Sequence, residues 1–364
     1  MKTLNIGQNC SLNDACLSAC LKDNIEIVVF GKGVGECIVV KTATNKVIVV
    51  DSFINDETGN PIALDYLEKV GIKSDAIKCL VLTHFHDDHI KGAYNIIQKS
   101  PNAKLVVNPF IGHINFLRAI SEKRVSSNGD SLSGVGEICS LMKDGKKLET
   151  ASINKTLFVD EDDKDFSIIS LSPHDSELFS YLDSLVSDER KTILEKYSSE
   201  KENIYSVVLL VKSKNCCFLL GGDYTNKQGD INEGWSIITE EYKRTYNCKS
   251  IVFKVPHHGS STAQNDGVWK DMLYPNPFSV STVYNRGHKV PSDKETVWIA
   301  NRSKEFYLNG GYKSDPDIET LFRKTLGTTK VFVKSGKVGF TRFIVDKDSF
   351  ISLECFGQVV KYQN

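Results

Sequence analysis

Two mixed β-sheets packed face to face with helices outside, an α+β sandwich of αββα layering, is the fold class that this 364-residue sequence predicts. Two observations carry the prediction. The first is an internal echo. Residues 37–40, a polar turn and residues 47–51 read as a hairpin ending on Asp51, and residues 206–211, a turn and residues 216–223 read as a second hairpin ending on Asp223. The second is that each hairpin leads into a helix and then into an apolar strand closed by histidines. A duplicated unit of this kind makes one domain of two halves, with both histidine-bearing strand ends meeting at a shared sheet edge.

In chain order, residues 1–24 read as an N-terminal extension ahead of a domain spanning 25–345. The first helix covers residues 61–70, with Asn60 as N-cap, Pro61 in the first turn and Gly71 past the end. The polar stretch at about 115–165, with Ser126-Ser127-Asn128-Gly129-Asp130 and Asp160-Glu161-Asp162-Asp163, reads as an insertion or lid. Residues 175–200 form a charged helical excursion on a solvated face, and the second echo helix covers residues 234–246. A late helix at 316–326 has Asp315 as N-cap and Gly327 beyond it. The strands after it, at 330–333, 338–345 and 350–355, read as an extra sheet layer, with 346–364 as a C-terminal strand and tail.

Composition bounds the class. Hydrophobic residues at 40% and charged residues at 25% describe an ordinary globular chain. No apolar run approaches the roughly 20 residues that span a bilayer, so no membrane association is expected. The first residues lack the apolar core of a secretory signal, which points to the cytoplasm. Ten cysteines spread through a long chain without framework spacing read as reduced, mostly buried thiols. A net charge of −1 gives no overall attraction to polyanions, so a nucleic-acid substrate would need a local basic groove.

The chemistry is concentrated in Thr83-His84-Phe85-His86-Asp87-Asp88-His89, directly after the apolar run 77–82. An ordinary core accounts for one buried histidine, not for three of the chain's eight within six positions beside aspartates. Alternate residues of a strand point the same way, so His84 and His86 can converge on one ion while Asp88 and His89 reach a second. Asp223, after Gly221-Gly222, fits a bridging carboxylate, because small glycines let a ligand or other backbone approach. His258, in Val255-Pro256-His257-His258-Gly259-Ser260, fits the terminal ligand of the second ion. Asp51 precedes Ser52-Phe53 and is expected to bond backbone near the histidine loop rather than to bridge.

Together these segments resemble the metallo-β-lactamase fold superfamily of hydrolases. The Pro256 to Ser260 run, Gly222-Asp223 and the downstream Asn285-Arg286-Gly287-His288 are similar to the branch that includes the hydrolase domain of bacterial DNA-uptake (competence) channels and its soluble relatives. Gly33-Val34-Gly35-Glu36 is similar to that branch's Gly-x-Gly-Asp turn, with glutamate for aspartate. The resemblance covers residues 27–291, approximately, and it departs at one place. The superfamily usually supplies a further histidine to the first metal, and here Asn203-Ile204-Tyr205-Ser206 stands in that region, like the Asn-x-x-Ser of the DNA-uptake branch. An amide oxygen is a poorer zinc ligand than imidazole and suits harder ions. Asn203 therefore implies a weaker first site, completed by water or filled by manganese. His174 is the other candidate for the missing ligand, although its place after Pro173 favours a capping or surface role. His257 is a candidate neighbour of the ligands.

The resemblance implies two divalent ions, zinc or alternatively manganese, and hydrolysis by a metal-activated hydroxide at a dinuclear site. Asp88 then orients the nucleophile, His288 and Asn285 polarise or protonate the scissile group, and Ser260 contacts substrate. A phosphodiester or nucleic-acid substrate is the leading expectation. Hydrolysis of a lactone, lactam or thioester is the alternative, and a weakly catalytic metal-binding module serving a partner protein from the same gene cluster is a third reading. The oxygen-reducing members place glutamate where this chain has His86, which argues against a diiron redox role.

Overall fold

The computed structural model describes residues 2–5, 12, 17, 23–109, 133–179, 203–214, 216–226, 234–284, 290–310, 338–346 and 351–363. The first strands in chain order are β1 Lys2–Asn5, β2 Ile25–Gly31, β3 Glu36–Lys41, β4 Val47–Val50, β5 Ile77–Leu82, β6 Lys104–Val107, β7 Leu148–Thr150, β8 Lys155–Val159 and β9 Ser167–Ser170. They are followed by β10 Leu209–Lys212, β11 Cys217–Leu220, β12 Ser250–Lys254, β13 Leu273–Thr282, β14 Glu305–Asn309, β15 Gly339–Val345, β16 Ile351–Gly357 and β17 Val359–Gln363. The α-helices are α1 Ile62–Lys69, α2 Asp87–Ile90, α3 Ala93–Lys99, α4 Ser133–Lys143, α5 Trp235–Thr245 and α6 Asp293–Ala300.

Among the described residues these strands make a nine-stranded sheet, β1-β17-β14-β13-β12-β11-β10-β9-β8, and an eight-stranded sheet, β16-β15-β2-β3-β4-β5-β6-β7. Both are mixed. The run β4 to β7 is parallel and the rest of its sheet antiparallel, and the run β11 to β14 is parallel within the other. The predicted echo is therefore the topology: an antiparallel hairpin, a crossover helix and a parallel strand, once through α1 to β5 and once through α5 to β12.

Three apolar layers hold the sandwich. Ile27, Val29, Ile38, Val40, Ile48 and Val50 of one sheet face Leu209, Val211, Phe218, Leu220 and Val252 of the other. Alternate residues of the first sheet, among them Val28, Phe30, Val39 and Val49, pack under Tyr66 and Leu67 of α1, Ile96 of α3 and Ile138 of α4. Leu210, Leu219 and Phe253 pack under Trp235 and Tyr242 of α5 and Ile299 of α6. Strands covered on both faces read as near-continuous apolar runs, which is why β2 to β5 lack a polar alternation. No helix among the described residues is long and apolar enough to cross a membrane. The described cysteines are all free thiols.

Four expectations change. The stretch read as an insertion contains core elements from residue 133 onward: α4 buries Ile138 and Leu141, β7 extends one sheet, and β8 and β9 close the other. Its acidic run misled because Asp160 is buried, accepting hydrogen bonds from Lys46 at 2.6 Å and Thr44 at 2.5 Å. The C-terminal strands add no layer. β15 pairs with β2 over its whole length and carries β16 at the sheet edge, while β17 joins β14 in the opposite sheet. Nor are residues 1–24 a mere extension, since β1 pairs with β17. At α1 the N-cap position falls on Pro61, and Asn60 instead donates to Asp65 within the helix. The expected helix at 316–326 and strand at 330–333 lie outside the described residues.

Candidate metal centre

The ends of β5, β11 and β12 deliver the chemical groups to one edge of the sandwich. His84 and His86 come after β5, and the short α2 turns the chain so that Asp88 and His89 face back toward them. Asp223 comes after β11, and His257 and His258 after β12. Asp223 is the hub of the group. Its Oδ2 lies 3.4 Å from His89 Nε2, 3.4 Å from His258 Nε2 and 3.9 Å from His84 Nε2. Asp88 Oδ2 lies 3.6 Å from His89 Nε2 and 3.9 Å from His258 Nε2. His86 Nδ1 is 3.0 Å from His84 Nε2.

The nitrogens that point away from the hub are held by carboxylates. Asp51 Oδ1 accepts from the Thr83 amide at 2.7 Å, and its Oδ2 accepts from Thr83 Oγ1 at 2.8 Å. The same Oδ2 is 2.7 Å from His89 Nδ1, and Thr83 Oγ1 is 3.0 Å from His84 Nδ1. Since the Thr83 hydroxyl gives its proton to Asp51, it accepts from His84. Both imidazoles are then protonated on Nδ1 and turn Nε2 to the hub, the atom that would bind metal once it carries no proton of its own. Asp51 thus orients histidines near the loop, as the sequence suggests.

Backbone shape at the edge is specialised. Asp51, His257 and His258 have φ of 59°, 46° and 54°, a left-handed conformation that costs a residue with a side chain on the order of 1 kcal/mol or more. Gly222 has φ 52°, and a Cβ there would lie 2.7 Å from both Ser206 Oγ and Val207 O. Its carbonyl accepts from the His257 amide at 3.0 Å, and Ser206 Oγ accepts from the Asp223 amide at 3.0 Å. Gly222→Ala is therefore expected to lower stability by about 1 to 3 kcal/mol. A melting temperature of the metal-free protein equal to the parent's would refute this requirement.

Burial and charge act against each other in the cluster. Burial disfavours a charged His89, but Asp223, Asp88 and Asp51 hold its pKa well above the usual range. Burial likewise opposes an ionised Asp223, yet His258 and His89 hold it well below the ordinary carboxylate range. The environment of His84 is the reverse: burial, then His89 and His86, keep it neutral. His257 is pushed down to about 4, mainly by burial.

The donor set fits divalent ions. Two overlapping groups, His84 with His89 and Asp223, and Asp88 with His89 and His258, each bring their ligand atoms within 4.8 Å of one another. His89 Nε2 is buried with no hydrogen-bond partner among the described residues, which a cation at the hub would satisfy. Imidazole nitrogen with carboxylate oxygen is a set that zinc and manganese both accept.

The other candidates are placed differently. Asn203 Nδ2 lies 3.0 Å from His257 Nε2, whose ring is also tied to Thr262 through Nδ1, and Asn203 Oδ1 is buried with no hydrogen-bond partner among the described residues. His174 does not join the cluster. Its Nδ1 accepts from the Ser176 amide at 3.1 Å and its own amide donates to Glu177, a capping arrangement. Ser260, expected to touch substrate, caps the turn 261–263 by accepting from the Thr262 amide at 3.3 Å. Asn285 and His288 lie outside the described residues.

Several participants escaped the sequence reading. Thr83 was passed over inside the motif. Glu36, Lys254 and Thr282 all reach the site while fully buried, and the signal available was a charged residue interrupting an otherwise apolar strand, as Lys254 does in β12. Tyr284 also stacks on His258 with ring centroids 5.1 Å apart.

One family model matches part of the chain. Residues 30–176 match the model of the metallo-beta-lactamase superfamily. No curated protein matches the chain. Among solved structures, Igni18, a metallo hydrolase from the archaeon Ignicoccus hospitalis, is 15% identical, with 71% of this chain and 81% of that chain covered and a TM-score of 0.38. The metallo-beta-lactamase SMB-1 is 12% identical, with 66% and 78% covered and a TM-score of 0.37. MEM-A1, a subclass B3 metallo-beta-lactamase from a soil metagenome library, is 10% identical, with 70% and 83% covered and a TM-score of 0.35. Residues 30–176 are thus similar to the metallo-β-lactamase superfamily, and the two mixed sheets with helices outside, with histidines and aspartates gathered at the shared edge, are consistent with that superfamily's sandwich fold.

Proposed function

We propose that the chain is a dinuclear metal-dependent phosphodiesterase or nuclease, with zinc as the favoured ion and manganese as the alternative. The observation that carries the dinuclear reading is the position of Asp223 Oδ2, within 4 Å of the Nε2 atoms of His84, His89 and His258. His84 and His86 would hold one ion, Asp88, His89 and His258 the other, with Asp223 shared. When bound, two such ions about 3.5 to 4 Å apart supply Lewis acidity and bring the pKa of a water toward about 7.

The residues of the chain do the rest. Asp88, with 11% of its side chain exposed against 3% for Asp223, is the carboxylate nearest the opening and orients the attacking water by accepting its hydrogen bond. His257 stays neutral at working pH, so it adds no charge beside the ligands. The phosphodiester preference rests on Asn203-x-x-Ser206 and the Pro256 to Ser260 run, which resemble the DNA-uptake branch. Ser206 supports the likeness, because its hydroxyl holds the backbone of Asp223.

The test is a substrate panel on protein stripped of metal and reloaded with zinc or manganese, with metal content measured in each sample. Cleavage of bis(p-nitrophenyl) phosphate is expected under at least one ion. Turnover of lactones or thioesters alone would replace the phosphodiester reading. No turnover with two ions bound would make the chain a binding module.

A further inference from the structure

Lys254 and Glu36 are both 0% exposed, and Lys254 Nζ lies 2.5 Å from Glu36 Oε1. Taking two such charges out of water costs several kcal/mol each, and a well-packed apolar pair would often serve stability as well. Their contacts suggest another reason for their presence. Lys254 Nζ donates to the Gly222 carbonyl at 2.8 Å and lies 3.8 Å from Asp223 Oδ1, the oxygen turned away from the histidines. Glu36 Oε2 accepts from Thr282 Oγ1 at 2.6 Å, and Thr282 Oγ1 is 2.9 Å from His258 Nδ1.

The direction of the chain is set by the donors. Thr282 gives its only proton to Glu36, so it must accept from His258, and His258 then carries its proton on Nδ1. Its Nε2 is left facing Asp223 Oδ2 at 3.4 Å, the atom that would bind the ion. The other half is built alike, with Thr83 between His84 and Asp51. The two carboxylates also come close, since atoms of Glu36, Asp51 and His89 lie within 4.8 Å of one another. Lys254 offsets that concentration of negative charge and reaches Asp223 at the same time.

We propose that Lys254, Glu36 and Thr282 are positioning residues for the centre: Thr282 and Glu36 fix the tautomer of His258 and so act on the ion that His258 holds, while Lys254 fixes the rotation of the shared Asp223 and so acts on both ions. The inference rests on the reading of the cluster as a two-ion centre. Its test separates the two ideas by measuring metal content and affinity rather than turnover.

Thr282→Val keeps the shape of the side chain, which packs against Gly31, and removes only the hydroxyl. Stripped and reloaded with zinc, the parent protein and Thr282→Ser should each retain two ions after dialysis. Thr282→Val should bind the second ion ten- to a hundredfold more weakly, the usual effect of losing a partner of a ligating histidine, with the first ion unaffected. Its metal-free melting temperature should stay within a few degrees of the parent's. A second variant, Glu36→Gln with Lys254→Met, removes both charges together and, because Asp223 is shared, should weaken both ions. Unchanged affinity for both ions in Thr282→Val and the double variant would overturn the proposal. So would equal weakening of both ions in Thr282→Val together with a lowered metal-free melting temperature, which marks a purely structural role. A parent protein that retains no metal would overturn the two-ion reading and this proposal with it.

Discussion

Asp223→Ala is expected to abolish retention of both ions, taking metal content after dialysis from two per chain to less than about a tenth of that. Its Oδ2 is the one carboxylate oxygen within 4 Å of His84, His89 and His258 among the described residues. Removing it leaves three buried Nε2 atoms around a hole, with Asp88 as the remaining carboxylate against two dications. Losing a ligand shared by two ions weakens each directly, and the remaining ligands of the pair then hold their ions with an unpaired buried charge. The isosteric Asp223→Asn keeps the volume and an acceptor oxygen while removing the charge, so it separates electrostatic loss from collapse of the edge. Circular dichroism of both variants reports whether the sandwich persists. Metal content equal to the parent's would remove Asp223 from the site, and loss of one ion with full retention of the other would confine it to one half.

The parts of this centre that were legible in the sequence are those where one short segment carries several ligands. His84, His86, Asp88 and His89 sit within six positions after an apolar strand, and no packing argument explains that grouping. Asp223 and His258 became legible through the repeated hairpin, helix and strand, because a duplication places equivalent strand ends side by side. The support network was not legible for the opposite reason. Glu36, Lys254 and Thr282 come from β3, β12 and β13, and each alone looks like an ordinary strand residue. Only the facing of the two sheets brings them within hydrogen-bonding distance. Sheet membership at the C-terminus was hidden similarly. Periodicity identifies β15 as a strand but not its neighbour, and the partner β2 lies more than 300 residues earlier in the chain, at residues 25–31. Ser260 is a polar residue beside the ligands whose oxygen also caps a turn by accepting from the Thr262 amide.

The same distinction between ligand and support decides what to expect of Asp88. Asp88→Ala should lower phosphodiester turnover by on the order of a hundredfold or more, since misplacing a nucleophile by about 1 Å has a cost of that size. Asp88 Oδ2 lies at 3.6 Å and 3.9 Å from the Nε2 atoms of His89 and His258, so the variant should also weaken the second ion. Assays at saturating zinc or manganese, with content verified, isolate the effect on water orientation from simple loss of metal. Stability should change little, because Asp88 lies on the short α2 with part of its side chain in solvent, and a truncation there opens no core cavity. His288→Ala offers the contrast. If that imidazole protonates the leaving oxygen, its loss should be mild on an activated ester and severe, about a hundredfold to ten-thousandfold, on an unactivated dinucleotide. Full activity of Asp88→Ala at saturating metal would end its role in orienting the nucleophile. Strong lactone or thioester turnover by the parent, without phosphodiester cleavage under either ion, would keep the hydrolytic centre and reassign its substrate.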